Sequence, residues 1–509
     1  MSDAGMNGTG ANGTPDLAGR AAARHVIVIG GGIGGLVAAR ECAKVGMHVT
    51  LVEAASTLGG AIRRAELDGV VVDAGAESYA TRGGHVREVL DELALADRIV
   101  TPNPAGAWLV GVPGVEAAPL PKGGILGIPS NPFADDVRRI IGWSGAWRAY
   151  VDRLRPPLTI GQEHSLGKLV ARRMGDKVRD RLVAPVTAGV YSAHPDDIDT
   201  EVAAPGLNEA LTRAGSLSGG VVQLLAERTD RAKKAPGSAV EALAGGMSAL
   251  VDALEADLLK LGAVVRTGAD VQALVREGER WAVAFPVLPD AAKDEGAQGE
   301  GVDADPVIET LTADAVIIAT TEPVARTLLA GHVADLGVAG TAPEIEIVSL
   351  LLDAPALDAA PRGTGVLTVP GSHTAKALTH ATAKWAWLRE TAGARHIVRV
   401  SFGAQGEPAA TAQLDDASAA QLALAEASKL LGVPLAASTL VSAHRARFTQ
   451  AQPASLIGAA DRRRAIRSAV QKVEGLAVVG AWLAGTGLAQ VVPDAKKESD
   501  RLRRSLLWE

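Results

Sequence analysis

A glycine-rich loop between two short apolar segments constrains the fold of this chain more than any other feature. Residues 25–29 (HVIVI) have the β-branched composition of a buried parallel strand, and a GxGxxG motif follows at once from Gly30. Residues 36–45 then show a helical pattern, and residues 48–52 form a second apolar segment. Strand, glycine turn, helix and strand in this order predict a β–α–β unit within a parallel sheet.

The same unit predicts a dinucleotide site. In such a loop one glycine forms the turn, a second lets the backbone approach a pyrophosphate, and a third allows the helix to pack on the strand. The helix N-terminus then faces the phosphates. Glu53, after the second strand, is placed to accept hydrogen bonds from ribose hydroxyls, and its carboxylate would repel a 2′-phosphate, which disfavours NADP. The residues predicted to form this part of the site are Gly30, Gly31, Gly32, Ile33, Gly34, Gly35, Glu53 and Ala54.

Two further segments favour FAD over NAD. Residues 55–64 (ASTLGGAIRR) add a glycine pair and an arginine that can pair with phosphate, and residues 70–79 (VVVDAGAESY) form an apolar strand that ends in small residues. Because FAD extends beyond the part that the first loop binds, extra small residues would let the backbone lie along it. Two ordinary glycine turns remain the alternative for this segment taken alone. The predicted contacts are Gly60, Ala61, Arg63, Gly75, Ala76, Glu77 and Ser78.

This E-x(4)-LGG-x-IR stretch, with the following strand, resembles the superfamily of FAD-dependent amine oxidases and protoporphyrinogen oxidases. The resemblance implies that the chain returns to the FAD domain at 241–274, 313–329 and 475–502. In the last of these a glycine turn precedes a helix, whose positive end would lie beside the flavin where reduction leaves negative charge. The cofactor contacts implied in these segments are Val271, Gly480, Gly487, Leu488, Ala489 and Gln490.

Three motifs narrow the resemblance to the protoporphyrinogen and coproporphyrinogen oxidase family. They lie at 118–133 (APLPKGGILGIPSNPF), 165–207 and 375–407, and the last contains a Lys-Trp pair from which Trp385 is expected to contact the cofactor. The chain departs from the family pattern at 447–459, which lacks a Gln-Tyr pair and a histidine. Gly403-Ala404 replaces a Gly-Arg pair, and Ala105-Gly106 stands where a basic residue could bind a propionate. These departures put the anchoring of the substrate in doubt more than the chemistry.

The resemblance implies oxygen-dependent, six-electron oxidation of coproporphyrinogen III to coproporphyrin III in haem biosynthesis, through FAD and with release of hydrogen peroxide. Protoporphyrinogen IX is the alternative substrate. The histidines are scattered, so no catalytic base is nominated. The substrate carboxylates need cations, although each candidate is more simply explained as a solvated surface charge. The candidates outside the FAD segments are Arg82, Lys376, Lys384, Arg445 and Arg447.

Composition excludes several other classes of protein and partner. The net charge of −7 gives no support to a nucleic-acid partner, and a single cysteine, Cys42, excludes an internal disulfide and a cysteine-based metal site. No metal is expected. The most apolar stretch, 476–493, is broken by glycines and a proline, so we expect no membrane span and a cytoplasmic protein. The basic segment 164–181 is interpreted first as a solvated face, and second as a peripheral membrane or ferrochelatase-docking face. The oligomeric state is left open.

We predict an α/β protein (α+β overall), with a discontinuous Rossmann-like FAD-binding domain, a mixed-sheet substrate domain and a mostly helical domain. The acidic stretch 289–306 is predicted to be a loop at a hairpin tip. The predicted parts are a disordered tail at 1–24, the FAD-binding domain at 25–85, 237–335 and 465–509, the helical domain at 86–215, and the substrate-binding domain at 216–236 and 336–464.

Two rivals from other classes remain. An amine oxidase or carotenoid desaturase would share the FAD segments but not the GIPSNP and KWAWL motifs. A non-enzymatic binding protein could keep the fold and lose the cofactor, as the GDP-dissociation inhibitors of small GTPases do. Glu53 and the C-terminal glycine turn argue against that second rival.

Overall fold

The computed structural model describes residues 17–155, 163–232, 240–287, 307–340, 343–449 and 455–508. Its first layer is a five-stranded, wholly parallel sheet drawn from distant parts of the chain. The predicted β–α–β unit lies at the centre of this sheet. Its helix, Ile33–Ala43, begins three residues earlier than expected, because the chain is extended at Gly32 and turns into the helix directly after it. The strand order is Val264–Arg266, His48–Val52, His25–Ile29, Ala315–Ile318, Leu476–Val478.

Both faces of this sheet are covered, which is why its strands are apolar throughout. Alternate residues point to opposite faces: Val26 and Val28 join one core cluster, whereas Ile27 and Ile29 join another. One face packs against helices Ile33–Ala43, Ser248–Lys260 and Leu488–Trp508. The other is covered by helices Glu322–Leu329 and Ala459–Val470 and by an antiparallel sheet of Ala273–Glu277, Arg280–Val287 and Val307–Ala313.

A seven-stranded mixed sheet forms a second layer, and helix Asp416–Leu431 covers one of its faces. Two of its strands come from the range expected to be mostly helical: Ala107–Val112 and Val115–Pro119 form a hairpin that pairs in parallel with Gly365–Thr368. The helical expectation was wrong there, because this apolar hairpin is buried by a strand far away in sequence. The strand order is Leu440–Phe448, Ile345–Leu352, His396–Phe402, Ala377–His380, Gly365–Thr368, Ala107–Val112, Val115–Pro119.

A helical layer covers the end of the second sheet. Helix Leu217–Ala232, expected in the substrate-binding domain, packs instead against Leu207–Ala214 within this layer. The basic segment 164–181 is not one helix, because Gly175 breaks it with a left-handed φ of +93°. The other helices of the layer are Asp135–Tyr150, Leu166–Met174, Asp176–Val178, the π-helical Arg179–Val183, Ala184–Tyr191 and Thr200–Ala203.

Short elements connect these layers. The strands are Arg64–Leu67 with Val70–Asp73, Tyr79–Ala80 with Val240–Leu243 and Ile99–Val100, and Gly124–Ile125 with Ile128–Pro129. The α-helices are His85–Glu92, Ala381–Lys384, Ala386–Ala392 and Ala481–Ala484. Single 3₁₀ turns lie at Ala96–Arg98, Val151–Leu154, Pro195–Asp197, Pro355–Leu357 and Ala437–Thr439.

The described start of the chain corrects the prediction of an unstructured tail. Leu17–Ala22 form a helix whose Ala21 is buried in the main core, so residues 17–24 are held by packing. The predicted hairpin tip at 289–306 lies outside the described residues. No helix in the described ranges is both long and apolar enough to cross a membrane.

Candidate functional site

The first glycine loop is packed tightly on one side and open on the other. Gly30 has a φ of +108°, and a Cβ atom on it would lie 2.7 Å from the Ala319 carbonyl oxygen. A Cβ on Gly35 would collide with the Gly30 carbonyl oxygen, and one on Gly34 would lie 3.2 Å from the Cα of Gly480. A Cβ on Gly32, by contrast, would meet no protein atom within 4 Å. The loop therefore presents the backbone of Gly32 to an open space.

Glu53 is hydrogen-bonded to the glycine loop and to the segment that contains Val271. Its carboxylate accepts hydrogen bonds from the backbone N–H groups of Gly31 (2.5 Å) and Ala55 (2.8 Å), and its carbonyl oxygen accepts one from Ala269 (2.9 Å). The segment that contains Val271 therefore lies beside Glu53, on the side where the sequence predicted the adenine end of the cofactor. Val271 itself is buried.

The second glycine segment lies against the first. The Gly59 N–H donates to the Gly31 carbonyl oxygen (2.9 Å), and the Ala76 N–H donates to that of Ala61 (3.0 Å). Three predicted segments, at 30–35, 59–63 and 74–77, are thus brought side by side. Arg63 donates from Nε to the Gly60 carbonyl oxygen (2.8 Å), and its guanidinium lies 5.4 Å from the centre of the Phe448 ring.

Small residues line an exposed strip across these segments, which we call the cradle. Its glycine and alanine members offer backbone and methyl groups to an extended ligand, and Leu488 and Gln490 add larger, half-buried side chains at the C-terminal turn. Ile33 is buried beneath the loop, while Ser78 is half-buried at the end of the strip. The exposed or half-buried predicted residues of the cradle are Gly32, Ala54, Gly60, Ala61, Ala76, Gly487, Leu488, Ala489 and Gln490.

The C-terminal glycine turn carries two buried polar atoms without a partner in the described part of the chain. The Trp482 Nε1 and Thr486 Oγ1 atoms are buried and have no hydrogen-bond partner among the described residues. Gly480 and Gly487 have φ angles of +116° and +92°, so the chain turns sharply before helix Leu488–Trp508. Buried polar atoms normally have a partner, so these atoms, the open Gly32 and the small-residue cradle together fit a bound dinucleotide.

Glu77 lies at the end of the cradle between two cations. One carboxylate oxygen accepts a hydrogen bond from Lys384 Nζ (2.5 Å), and the other accepts one from Arg399 Nη1 (2.7 Å). Burial alone would raise the pKa of Glu77, but the two cations lower it to about 2. Arg399 also donates to the Gly75 carbonyl oxygen (2.5 Å). The carboxylate therefore stays ionised and fixes both cations beside the cradle.

Arg399 was not among the predicted site residues. The available signal was a single charge within the apolar strand HIVRVSF, where Arg399 is buried and its Nε has no partner among the described residues. Asp73 was also missed. Burial raises its pKa to about 6, against the opposing effects of Arg399 and of a hydrogen bond from the Met247 N–H (2.9 Å).

Trp385 does not lie where the motif implied. Its side chain is only 2% exposed and packs in the main core with Leu388 and Ile397, so it leaves almost no surface for a cofactor. The preceding residue, Lys384, reaches Glu77 instead and lies 5.0 Å from the centre of the Trp385 ring.

The five candidate cations for substrate carboxylates have different surroundings. Arg445 and Arg447 both donate from Nε to the buried Glu346 (2.8 and 2.7 Å), on the sheet face covered by helix Asp416–Leu431. Lys384 is bound to Glu77, and Arg82 is exposed. Lys376 donates from Nζ to the Ser192 hydroxyl (2.6 Å) and forms no ion pair in the described parts of the chain.

Comparison with known proteins gives a consistent result. The family model described as flavin containing amine oxidoreductase matches residues 33–502. A coproporphyrinogen III oxidase from Mycobacterium tuberculosis is 31% identical over 484 residues, covering 92% of this chain and 95% of that protein. A solved structure of a candidate protoporphyrinogen oxidase from Exiguobacterium sp. 255-15 has a TM-score of 0.76 at 23% identity, covering 94% of this chain and 98% of its own. Cyclohexylamine oxidase from Brevibacterium oxydans shares the fold, with a TM-score of 0.60 at 13% identity, covering 95% of this chain and 99% of its own.

Proposed function

Because this chain belongs to the flavin-containing amine oxidoreductases, and within them to the coproporphyrinogen III and protoporphyrinogen IX oxidases, we propose that it oxidises coproporphyrinogen III to coproporphyrin III in haem biosynthesis. The reaction removes six electrons and consumes three dioxygen molecules, which leave as three molecules of hydrogen peroxide. The observation that carries the proposal is the cradle beside the Glu77 cations, in a chain that aligns over nearly its full length with a coproporphyrinogen III oxidase.

We propose that the cradle holds FAD. Gly32 would face the pyrophosphate, Glu53 and the backbone near Val271 would hold the adenosine end, and Gly60, Ala61 and Ala76 would lie along the remainder. When bound, FAD supplies the hydride acceptor that the protein itself lacks and returns the electrons to dioxygen. The backbone N–H groups that begin helix Leu488–Trp508 supply a positive field at the C-terminal turn.

The protein's own contribution is binding, orientation and electrostatics. The ionised Glu77 holds Lys384 and Arg399 in fixed positions, so the three groups together place one net positive charge at the end of the cradle. These groups stabilise negative charge without reorganising, which is the favourable arrangement when charge develops during a reaction. None of these residues is proposed as a catalytic base.

A decisive experiment uses the purified protein in air. We expect flavin bands in its visible spectrum, together with faster appearance of porphyrin fluorescence from coproporphyrinogen III than from protoporphyrinogen IX. Hydrogen peroxide should appear at three molecules per porphyrin. Anaerobic samples, in which free dioxygen is removed, serve as the control because multiple turnover should stop.

Each other outcome has a definite meaning. Flavin with a strong preference for protoporphyrinogen IX would keep the family and overturn the substrate. Flavin with neither activity would contradict the proposal and direct attention to amines and carotenoids as substrates. A colourless protein that binds no added FAD would exclude the enzyme and favour a non-enzymatic binding role.

We also propose a cytoplasmic location, because a substrate with four carboxylates is water-soluble, and a peripheral contact with a membrane surface. The exposed face of helix Asp135–Tyr150 and the following turn supports that contact. Trp143 and Trp147 are 62% and 58% exposed one helical turn apart, and Leu154 is 76% exposed. The Arg138 guanidinium lies 4.2 Å from the centre of the Trp143 ring. Exposed tryptophans beside arginines are typical of helices that lie in a lipid interface.

Sedimentation with lipid vesicles tests this contact. Vesicles that contain anionic lipid should retain the protein, and a variant with Trp143→Ser and Trp147→Ser should be retained much less. Trp508→Ser, which removes a tryptophan of similar exposure (59%) on the C-terminal helix, is the matched control. Equal retention of both variants on the vesicles would contradict the membrane contact. If the wild-type protein instead bound ferrochelatase in the absence of vesicles, that enzyme rather than lipid would be the partner.

A further inference from the structure

Lys376 lies where three segments of the chain meet. It precedes strand Ala377–His380, and its Nζ donates to the hydroxyl of Ser192, the residue that ends helix Ala184–Tyr191. The Ser192 carbonyl oxygen accepts a hydrogen bond from the Gln405 N–H (2.6 Å), in the loop that follows strand His396–Phe402. The lysine is therefore held between the helical layer and the end of the seven-stranded sheet.

This meeting point lies beside strand His396–Phe402, which carries one of the two cations at the end of the cradle, Arg399. Arg399, which binds Glu77 and the Gly75 carbonyl oxygen, and Ser401 belong to one strand and point to the same face of the sheet. Two residues of a strand span about 7 Å. The Ser401 carbonyl oxygen accepts a hydrogen bond from the Lys376 N–H (3.0 Å). A tetrapyrrole that lies against the sheet beside the cradle would therefore extend toward Lys376.

Lys376 has a polar neighbour but no counterion among the described residues. Ser192 is buried and holds a left-handed φ of +54°, so its hydroxyl is fixed beside the ammonium group. No ion pair is formed by Lys376 within the described ranges, whereas Lys384, Arg445 and Arg447 each have a carboxylate. Burial lowers the pKa of Lys376 to about 7, and no described charge offsets that effect. A partly buried cation without an anion nearby is unfavourable, and an anionic ligand would remove that cost.

We propose that Lys376 and the Ser192 hydroxyl together bind one carboxylate of the tetrapyrrole substrate. This assignment rests on the proposed function and names a residue that anchors the substrate. The ammonium group donates to one carboxylate oxygen, and the Ser192 hydroxyl, which already accepts from Lys376, donates its own proton to the other. Lys376 would thereby bind a substrate propionate, for which the sequence shows no basic residue at Ala105-Gly106.

Binding of the product coproporphyrin III, measured without turnover, tests the assignment. Lys376→Met keeps the aliphatic stem and removes the charge, so the dissociation constant for coproporphyrin III should rise about 10- to 100-fold. Ser192→Ala should raise it by about three- to tenfold. Lys376→Arg should bind more tightly than Lys376→Met. Flavin content should remain that of the wild type and the melting temperature should not fall, because in the described residues Lys376 contacts neither the cradle nor a carboxylate.

Two controls separate this role from a structural one. Lys260→Met removes an exposed lysine at the end of helix Ser248–Lys260 and should leave the dissociation constant unchanged. Coproporphyrin III tetramethyl ester, which has no carboxylate, should bind wild type and Lys376→Met equally. Unchanged coproporphyrin III binding by both Lys376→Met and Ser192→Ala would overturn the assignment while leaving the proposed function intact. If the wild-type protein neither bound coproporphyrin III nor oxidised its porphyrinogen, the proposed function itself would fail.

Discussion

Gly32 and Gly35 lie three residues apart in the first loop, yet an added methyl group would act differently at each. Gly32 has a φ of −69° and open space beyond it, so Gly32→Ala should fold with an unchanged melting temperature. We expect it to bind FAD at least about tenfold more weakly, because the methyl group would occupy the space of the pyrophosphate. Fluorescence titration of the apoprotein with FAD measures this loss.

Gly35→Ala is the matched comparison. Its methyl group would collide with the Gly30 carbonyl oxygen, so the protein itself should lose about 1–3 kcal/mol of stability or more, with or without FAD. Urea unfolding of the two apoproteins measures the difference. Equal FAD affinity of Gly32→Ala and wild type would show that the cofactor does not approach this backbone.

Glu77 should make stability depend on pH at the acid end. Its pKa is held at about 2, below the ordinary 4.5, because Lys384 and Arg399 more than offset burial. A lowered folded-state pKa stabilises the native state fully above pH 4.5, and this contribution is lost as the pH falls from 4.5 toward 2. Glu77→Gln should cost about 3–5 kcal/mol at neutral pH, because it leaves two cations without their anion.

Urea unfolding at several pH values tests this prediction. The gap in unfolding free energy between wild type and Glu77→Gln should narrow as the pH falls below 4.5. Glu390→Gln, at an exposed position on helix Ala386–Ala392, should differ little from wild type at any pH. A gap independent of pH would mean that the charge of Glu77 is not the source of its effect.

At the scale of single residues, the partners of a side chain could not be predicted from the sequence. Glu77 was predicted as a cofactor contact from its small neighbours, but nothing local indicated that Arg399, 322 positions away, would bind it. For the same reason the candidate cations could not be ranked. Arg445 and Arg447 are both paired with Glu346, which the pairing of strands Ile345–Leu352 and Leu440–Phe448 brings to them, whereas Lys376 is not.

At the scale of secondary-structure elements, Arg467 joins the two helices that flank the C-terminal turn. It lies on Ala459–Val470, donates to the Val478 carbonyl oxygen, and donates from Nη2 to both carboxylate oxygens of Asp494 (2.6 Å each) on Leu488–Trp508. Arg467→Met should therefore destabilise the protein by about 2–4 kcal/mol, because Asp494 would remain largely buried without its cation. It should also weaken FAD binding, although Arg467 lies outside the cradle.

Arg464→Met is the control for this effect. Arg464 lies on the same helix, is exposed, and pairs with Asp461 one turn away, so its loss should cost no more than about 0.5 kcal/mol. Thermal unfolding of both variants, with and without added FAD, measures the difference. Similar melting temperatures for the two variants would contradict the role of Arg467 in joining the two helices.

Elements were predicted well where their pattern is local and poorly where a distant strand defines them. The strands around the first loop and the helix from Leu488 follow from apolar periodicity and glycine positions. Hairpin 107–119 was missed because its partner, Gly365–Thr368, is some 250 residues away. Short apolar runs are ambiguous on their own, and here the long-range pairing decided between helix and strand.

At the scale of the whole molecule, long-range pairing makes the two large sheets interdependent. The parallel sheet takes strands from near both ends of the chain, and the mixed sheet takes a hairpin from the first quarter and five strands from the last third. Each layer closes only when distant segments are present. This arrangement explains why the cradle, the Glu77 cations and Lys376, which lie far apart in sequence, can border one region.

The charge of the whole molecule opposes the substrate that its interior would bind. The protein carries a net charge of −7, and coproporphyrinogen carries four carboxylates. At a separation of 30 Å in water, their repulsion is therefore about 4 kcal/mol before screening by salt. Salt ions reduce it to about 1 kcal/mol at 0.01 M ionic strength, where the screening length is about 30 Å, and remove it at 0.15 M, where that length is about 8 Å. Lys376 is one partly buried cation and is already counted in the net charge of −7, so the net charge should dominate the encounter.

We therefore expect kcat/KM for coproporphyrinogen III to rise about three- to tenfold as the ionic strength increases from 0.01 to 0.15 M. Protoporphyrinogen IX, with two carboxylates, should show about half that effect on a logarithmic scale, because the repulsion is proportional to the substrate charge. Initial rates across a salt series, with both substrates and at one pH, provide the measurement. A fall in kcat/KM with added salt would mean that cations near the entrance, rather than the overall charge, govern the approach of the substrate. Lys376→Met should keep nearly the same salt dependence as wild type, since it changes the net charge only from −7 to −8.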